Sequence, residues 1–175
     1  MIIAQVKCGT ERWDVKILSD KDTVKIDFSK KYQTTVHQQV SLSMPDIRIS
    51  EHLPRMSGET NVYTLVCYLI EYKKEKDKDV HLVIMDLNTG ETMVAEIPGS
   101  ECSEIRRTSR YFMFVNLNNW FISNIGRPTS KFKKPGKKLK IQITGVGFFD
   151  FIHGQKGMAA NGREIHPVLE MKIVQ

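Results

Sequence analysis

What this sequence lacks narrows it first. No apolar run approaches the ~18 residues of a membrane span, so a transmembrane helix is excluded on pattern. The opening residues, MIIAQVKCGTERW, have neither a basic start nor a long apolar stretch, so no signal peptide is read there. The chain therefore reads as cytoplasmic, with an exported form as the alternative. Cysteine is scarce: Cys8, Cys67 and Cys102 show no CxxC spacing. An odd, unpatterned set points to ordinary reduced thiols; the alternative is a Cys8–Cys102 bridge with Cys67 buried in a strand. G-x-S-x-G, Walker A and HExxH are all absent, and Gly145-Val146-Gly147 lacks the third glycine and following helix of a dinucleotide fingerprint. The eight methionines show no cluster and read as packing.

What is present fits one globular domain: 175 residues, 41% hydrophobic and 26% charged, enough for a sizeable core. The net charge of +6 is concentrated. Residues 131–140, KFKKPGKKLK, hold six lysines and no acid, and setting them aside leaves 20 basic against 20 acidic residues. Lys131, Lys133, Lys134, Lys137, Lys138 and Lys140 are thus candidate contacts for a polyanion, whose affinity would depend on salt. The plainer reading is a solvated loop that keeps the domain soluble.

Along the chain, residues 1–60 read as an extension with a few strands. Arg12–Leu18 and Thr23–Phe28 alternate with period two, and Thr34–Ser43 is ambiguous between a strand and a helical turn. His37 and His52 stand alone as ordinary residues, and Trp13 is a core candidate. Asn61–Tyr72, Val80–Leu87 and Glu91–Ile97 form three strands with short turns, an antiparallel meander. A helix capped by Ser100 follows, ending or fraying before the Asn run at 116–119 and Gly126-Arg127-Pro128. Two last strands, 139–152 and 164–174, flank a Gly-rich connection. Three strands, a helix and two strands are the order of an OB-fold, so the expected class is all-β with one helical segment. The domain is a five-stranded OB-like barrel over 61–175, covered by an N-terminal β extension over 1–60.

The connection between the last two strands concentrates polar groups. Asp150, His153, Glu164 and His166 lie within 17 positions, with Gln155, Asn161 and Arg163 between them. Imidazoles and carboxylates are the donors a divalent ion takes and the groups of general acid–base catalysis, so these four are candidate catalytic residues and His153 and His166 candidate metal ligands. No known spacing is matched; His153–Asn161–His166 is too short for an HNH nuclease. The plainer reading is a loop tied down internally by Asp150 and Asn161. The glycines of the loop, Gly154, Gly157 and Gly162, are expected to include positive φ. His81 sits on an apolar strand face and reads as a hydrogen-bonded core or border residue.

CGTERWDVKILSD at Cys8–Asp20, HLVIMD at His81–Asp86, TMVAEIP at Thr92–Pro98 and TGVGFFDFIHGQKGMAANGREIHPVL at Thr144–Leu169 resemble an uncharacterised family of small bacterial proteins. Its members share ERWxVK near the start and GVGFFDFxHGQxGxAxNxxExHPVL near the end. The resemblance covers most of the chain except roughly 45–60 and 103–136. It implies a bacterial origin and a common fold, carries no established activity, and through export signals on some members leaves the compartment open.

Three functional readings follow. The first is an OB-like binding module for single-stranded nucleic acid or another polyanion, with Phe132 among the lysines and Tyr111, Phe112, Phe114, Trp120 and Phe121 just before them as stacking candidates. The second is an accessory or interaction protein, with a protein partner and no catalytic site. The third is a metal-dependent, nuclease-like hydrolase using the 150–166 cluster, with a divalent metal as its cofactor.

Overall fold

In the computed structural model, described for residues 8–9, 11–46, 50, 52–152 and 154–175, the chain is built on six strands and three α-helices. The strands are β1 (Lys31–Thr34), β2 (Val62–Lys74), β3 (Val80–Met85), β4 (Thr92–Ile97), β5 (Leu139–Phe149) and β6 (Arg163–Ile173). The helices are α1 (Trp13–Lys16), α2 (Val36–Val40) and α3 (Tyr111–Asn124). Strands β2 to β6 close into a five-stranded barrel in the order β2-β3-β4-β6-β5, with β5 pairing back onto β2. The β4–β6 pair is parallel, and the other barrel pairs are antiparallel. This is the OB-like Greek-key barrel expected from the element order. The long strand β2 pairs with β5 over residues 62–69 and with β3 over 68–74, so one strand serves both sides of the barrel.

Period-two alternation sorts the strands into two layers of side chains. Leu65, Cys67 and Leu69 of β2, Leu82 and Ile84 of β3, Met93, Ala95 and Ile97 of β4, and Ile141 and Ile143 of β5 fill the interior. Leu117 and Phe121 of α3 join this cluster. A second apolar cluster lies outside the barrel, where Trp13, Ile17, Leu18 and Ile26 of the front segment pack on Val62, Val146 and Leu169. The described residues of the front segment that pack on the barrel here do so from α1 and the turns after it, not from strands.

Three expectations are corrected. Arg12–Leu18 and Thr23–Phe28 alternate in sequence, yet they form α1 and a 3-10 turn at Lys21–Lys25. Arg12 takes a left-handed conformation (φ 50°), and its guanidinium and the Lys16 ammonium both turn inward to buried carboxylates. Those tertiary contacts outweigh a strand preference that only a paired edge would realise. Lys31–Thr34 is the one strand of the extension among the described residues, and Thr35 caps α2 with a capping box closed by Gln38. The principal helix starts at Tyr111, not after Ser100, and it runs through the Asn stretch. Asn118 is buried, and its Nδ2 donates to Pro98 O and Phe114 O at 2.8 and 2.9 Å, so it ties the helix to the barrel instead of ending it.

The third correction concerns the cysteines. Cys8 and Cys102 form a disulfide with Cα atoms 5.8 Å apart, while Cys67 is free and buried. The pairing links positions 94 residues apart, which no local spacing reveals. Closing so long a loop constrains the unfolded chain, and Cys102→Ser is expected to lower stability by about 2–4 kcal/mol in a urea melt. A reduced wild-type protein with an unchanged midpoint would contradict this. No described helix is long and apolar enough to cross a membrane.

Candidate functional site

The Gly-rich connection between β5 and β6 has the backbone its glycines suggested. Gly154, Gly157 and Gly162 lie at φ 76°, 84° and 67°. Asn161 Oδ1 accepts from Arg163 N at 3.0 Å, and Asp150 N donates to Gly162 O at 2.9 Å, so both ends of the loop are tied. A side chain at Gly147 would collide with the Arg163 guanidinium, its Cβ falling 2.0 Å from Nη2, so the β5 bend depends on a bare backbone there.

This return of the chain brings Asp150, Glu164 and His166 together; His153 lies outside the described residues. Glu164 and His166 sit two apart on β6 and share its outer face, beneath the front segment. Three residues that the sequence did not single out complete the cluster: Lys16 from α1, Asp79 from the β2–β3 turn and Glu96 from β4. Lys16 Nζ is 3.3 Å from Asp150 Oδ2. The His166 ring lies between two carboxylates, Nε2 3.3 Å from Asp79 and Nδ1 3.2 Å from Glu96, without hydrogen-bond alignment to either. The other Glu96 oxygen meets His81 Nδ1 at 3.0 Å, and His81 Nε2 donates to Lys156 O at 3.0 Å. His81 is thus the hydrogen-bonded core residue its strand face implied, but it is held by Glu96, the residue paired with it across the hairpin.

The electrostatics follow from burial. Lys16, Asp79, Glu96, Glu164 and His166 are all at most 6% exposed. Burial alone would lower His166, but Asp79 and Glu96 on either side raise it to about 10. Burial pushes Asp79 up to about 6 against the pull of His166. It would also raise Glu96, yet His166 and His81 hold that carboxylate well below its usual range. Burial, then Asp150 and Glu96, push Glu164 well above the carboxylate range. Lys16 is the reverse case: burial opposes its charge, and Asp150, Glu96, Glu164 and Asp79 together raise it above an ordinary lysine.

The cluster is not sealed. Glu96, Asp150 and Lys16 form part of the wall of a cleft of about 700 Å³, which is also lined by Glu75, Asp77 and Gln155. More carboxylates than cations face this space, so it attracts positive charge. A second cleft of about 600 Å³ opens beside Arg12, Trp13 and Asp20. Its Arg12 is already paired with Glu59 and its Asp20 with Arg55.

The lysine segment lies elsewhere, along the outer edge of β2. Lys133 exchanges backbone hydrogen bonds with Tyr72 at 2.8 and 2.9 Å, which pins the segment as a short extra pairing. Phe132 packs edge-on against His81, ring centroids 5.7 Å apart, so the segment abuts the buried cluster from outside. Lys138 Nζ stands 3.9 Å over the half-buried Tyr68 ring, and Lys140 pairs across from Tyr68 in the sheet. Among the described residues only Lys134 of the six has a carboxylate within ion-pair distance, Glu71 at 3.9 Å. The helical aromatics are a different matter. Phe114 and Phe121 are core, Trp120 packs against it, and Phe112 alone of the five stands clear at 76% exposure. The surface aromatics among the lysines are Tyr68 and Phe132.

No protein-family model and no curated protein matches this chain.

Proposed function

We propose that this chain is an OB-like module that binds a polyanion, with single-stranded nucleic acid as the leading ligand, along the lysine-bearing segment that runs beside the end of β2 into the start of β5. The observation that carries the reading is the set of lysines at 131–140, five exposed and Lys140 half-buried, pinned to β2 by the Tyr72–Lys133 pairing and left almost without carboxylate partners. Tyr68 between Lys138 and Lys140 adds an aromatic surface of the kind on which bases stack. The acid-lined cleft repels phosphates, so the ligand path follows the lysines. Titration of a labelled single-stranded oligonucleotide at low and high salt tests the assignment, and absence of binding at low salt refutes it.

A second reading has its own support. Asp150, Glu164 and His166 converge with Asp79 and Glu96 beside an open cleft, the arrangement a metal-dependent hydrolase would need. Hydrolysis of a bound oligonucleotide that depends on added metal would favour it over simple binding. The Cys8–Cys102 bridge favours the exported alternative over the cytoplasmic one, since disulfides persist in oxidising compartments.

A further inference from the structure

We propose that Asp79, Glu96 and His166, with Glu164 beside them, form a binding site for a divalent cation of the manganese–zinc class. One donor atom from each of Asp79, Glu96 and His166 can be chosen so that all three lie within 4.8 Å of one another. Asp79 and His166 are fully buried and Glu96 nearly so. A carboxylate cluster alone would not make a site; the unused donors do. Asp79 Oδ2, both ring nitrogens of His166 and both oxygens of Glu164 are buried without a hydrogen-bond partner. Among the described residues, Asp79 Oδ2 and the His166 nitrogens meet only one another and Glu96, at 3.2–3.3 Å without hydrogen-bond alignment, and the Glu164 carboxyl group is left with no partner at all. Such a burial is strongly unfavourable unless something binds there.

The far sides of the donors are already held, as ligands usually are. Asp79 Oδ1 accepts from Gly99 N at 2.8 Å, which leaves Oδ2 facing His166. Glu96 uses Oε1 for His81, which in turn is fixed by the Lys156 carbonyl, and turns Oε2 to His166. The composition of the cluster agrees: four carboxyl groups, Asp79, Glu96, Asp150 and Glu164, surround one ammonium, Lys16, and two imidazoles, so a divalent ion adds positive charge where acids are in excess. Two carboxylates and one imidazole, with the Glu164 carboxyl group beside them and no thiolate, select a borderline ion over calcium or magnesium and over copper(I). Glu96 and Asp150 line the 700 Å³ cleft, which gives an ion a path from solvent. This site stands apart from the polyanion reading, and it is the ion on which the hydrolase reading would rest.

The test is metal binding to the intact protein, with no activity needed. Protein dialysed against EDTA is titrated with Mn²⁺ and with Zn²⁺ by calorimetry, and its thermal unfolding is followed in parallel. The expected result is one ion per chain and a rise in Tm of about 5–10 °C when free metal stands a hundredfold above Kd. His166→Asn and Glu164→Gln should each weaken binding about tenfold or more. Glu164→Gln preserves shape, so it carries the test if His166→Asn does not fold. His37→Ala, which removes an exposed imidazole 2.6 Å from Glu91, should leave affinity unchanged. Absence of stoichiometric binding by the wild type, binding indifferent to Glu164→Gln, or binding lost in His37→Ala would each overturn the site.

Discussion

Glu59→Ala is expected to lose about 3–5 kcal/mol of stability, a large share of what a domain of this size possesses. Glu59 is completely buried and takes four hydrogen bonds. Oε1 accepts from Arg12 Nη1 at 2.9 Å and from Phe149 N at 2.8 Å, while Oε2 accepts from Arg12 Nη2 and Met56 N. One carboxylate thus joins the front segment, the connector and the end of β5. Removing it strands the Arg12 guanidinium in the interior and orphans two backbone N–H groups. The remaining Arg12 contacts, to the carbonyls of Leu53, Pro54 and Phe149, cannot neutralise its charge. Chemical unfolding monitored by tryptophan fluorescence measures the loss, and Trp13, next to Arg12, reports on the front segment directly. A change below about 1 kcal/mol, the range of an exposed pair, would show that the two groups are hydrated in solution.

Nothing local announces that pair. Arg12 and Glu59 are 47 positions apart, and each stands in a stretch whose surroundings look like surface. The same holds for the buried cluster. Asp150, Glu164 and His166 were legible because a single Gly-rich return carries all three. Lys16 was hidden in a false strand pattern, and Asp79 in a charged turn whose last residue is in fact fully buried. Glu96 had a signal that went unread. A turn centred on Asn88 and Thr89 sets His81 opposite Glu96 by register alone, and that is the pairing observed.

The barrel was legible for a different reason. Strands β2, β3 and β4 are runs rich in β-branched and other apolar residues bounded by turn residues; β2 alternates and β3 and β4 are buried along almost their whole length, so pattern and burial agree. The front end failed because alternation over four to seven residues also fits a helical turn whose ends are drawn inward by charge pairing. The Asn run misled because propensity ranks asparagine as a poor helix former, whereas Asn118 gains two buried hydrogen bonds from being in a helix.

The charge partition of the molecule sets up the other large effect. Acids line the cleft and unpaired lysines line the β2 edge, so a polyanion should follow the lysines, and its affinity should fall steeply with salt. Engaging four to six lysines gives a log–log slope of about −3 to −4 on single strands, which is roughly 100-fold in Kd between 50 and 200 mM salt. Replacing Lys133, Lys134, Lys137 and Lys138 together by glutamine should remove most of that slope. All four are exposed, so their loss should move the unfolding midpoint little. Sequence preference should be weak, because the segment presents ammonium groups to phosphates and no planar side chain of its own to base edges except Phe132, which is engaged with His81. Tyr68→Ala separates stacking from charge: it should weaken binding about tenfold, on the scale of one base–aromatic contact, while leaving the salt slope unchanged. Equal slopes for the wild type and the quadruple variant would place the anion contact away from residues 131–140. Absence of binding by the wild type at low salt would make the lysines a solubility feature and shift the functional assignment to the acid-lined cleft.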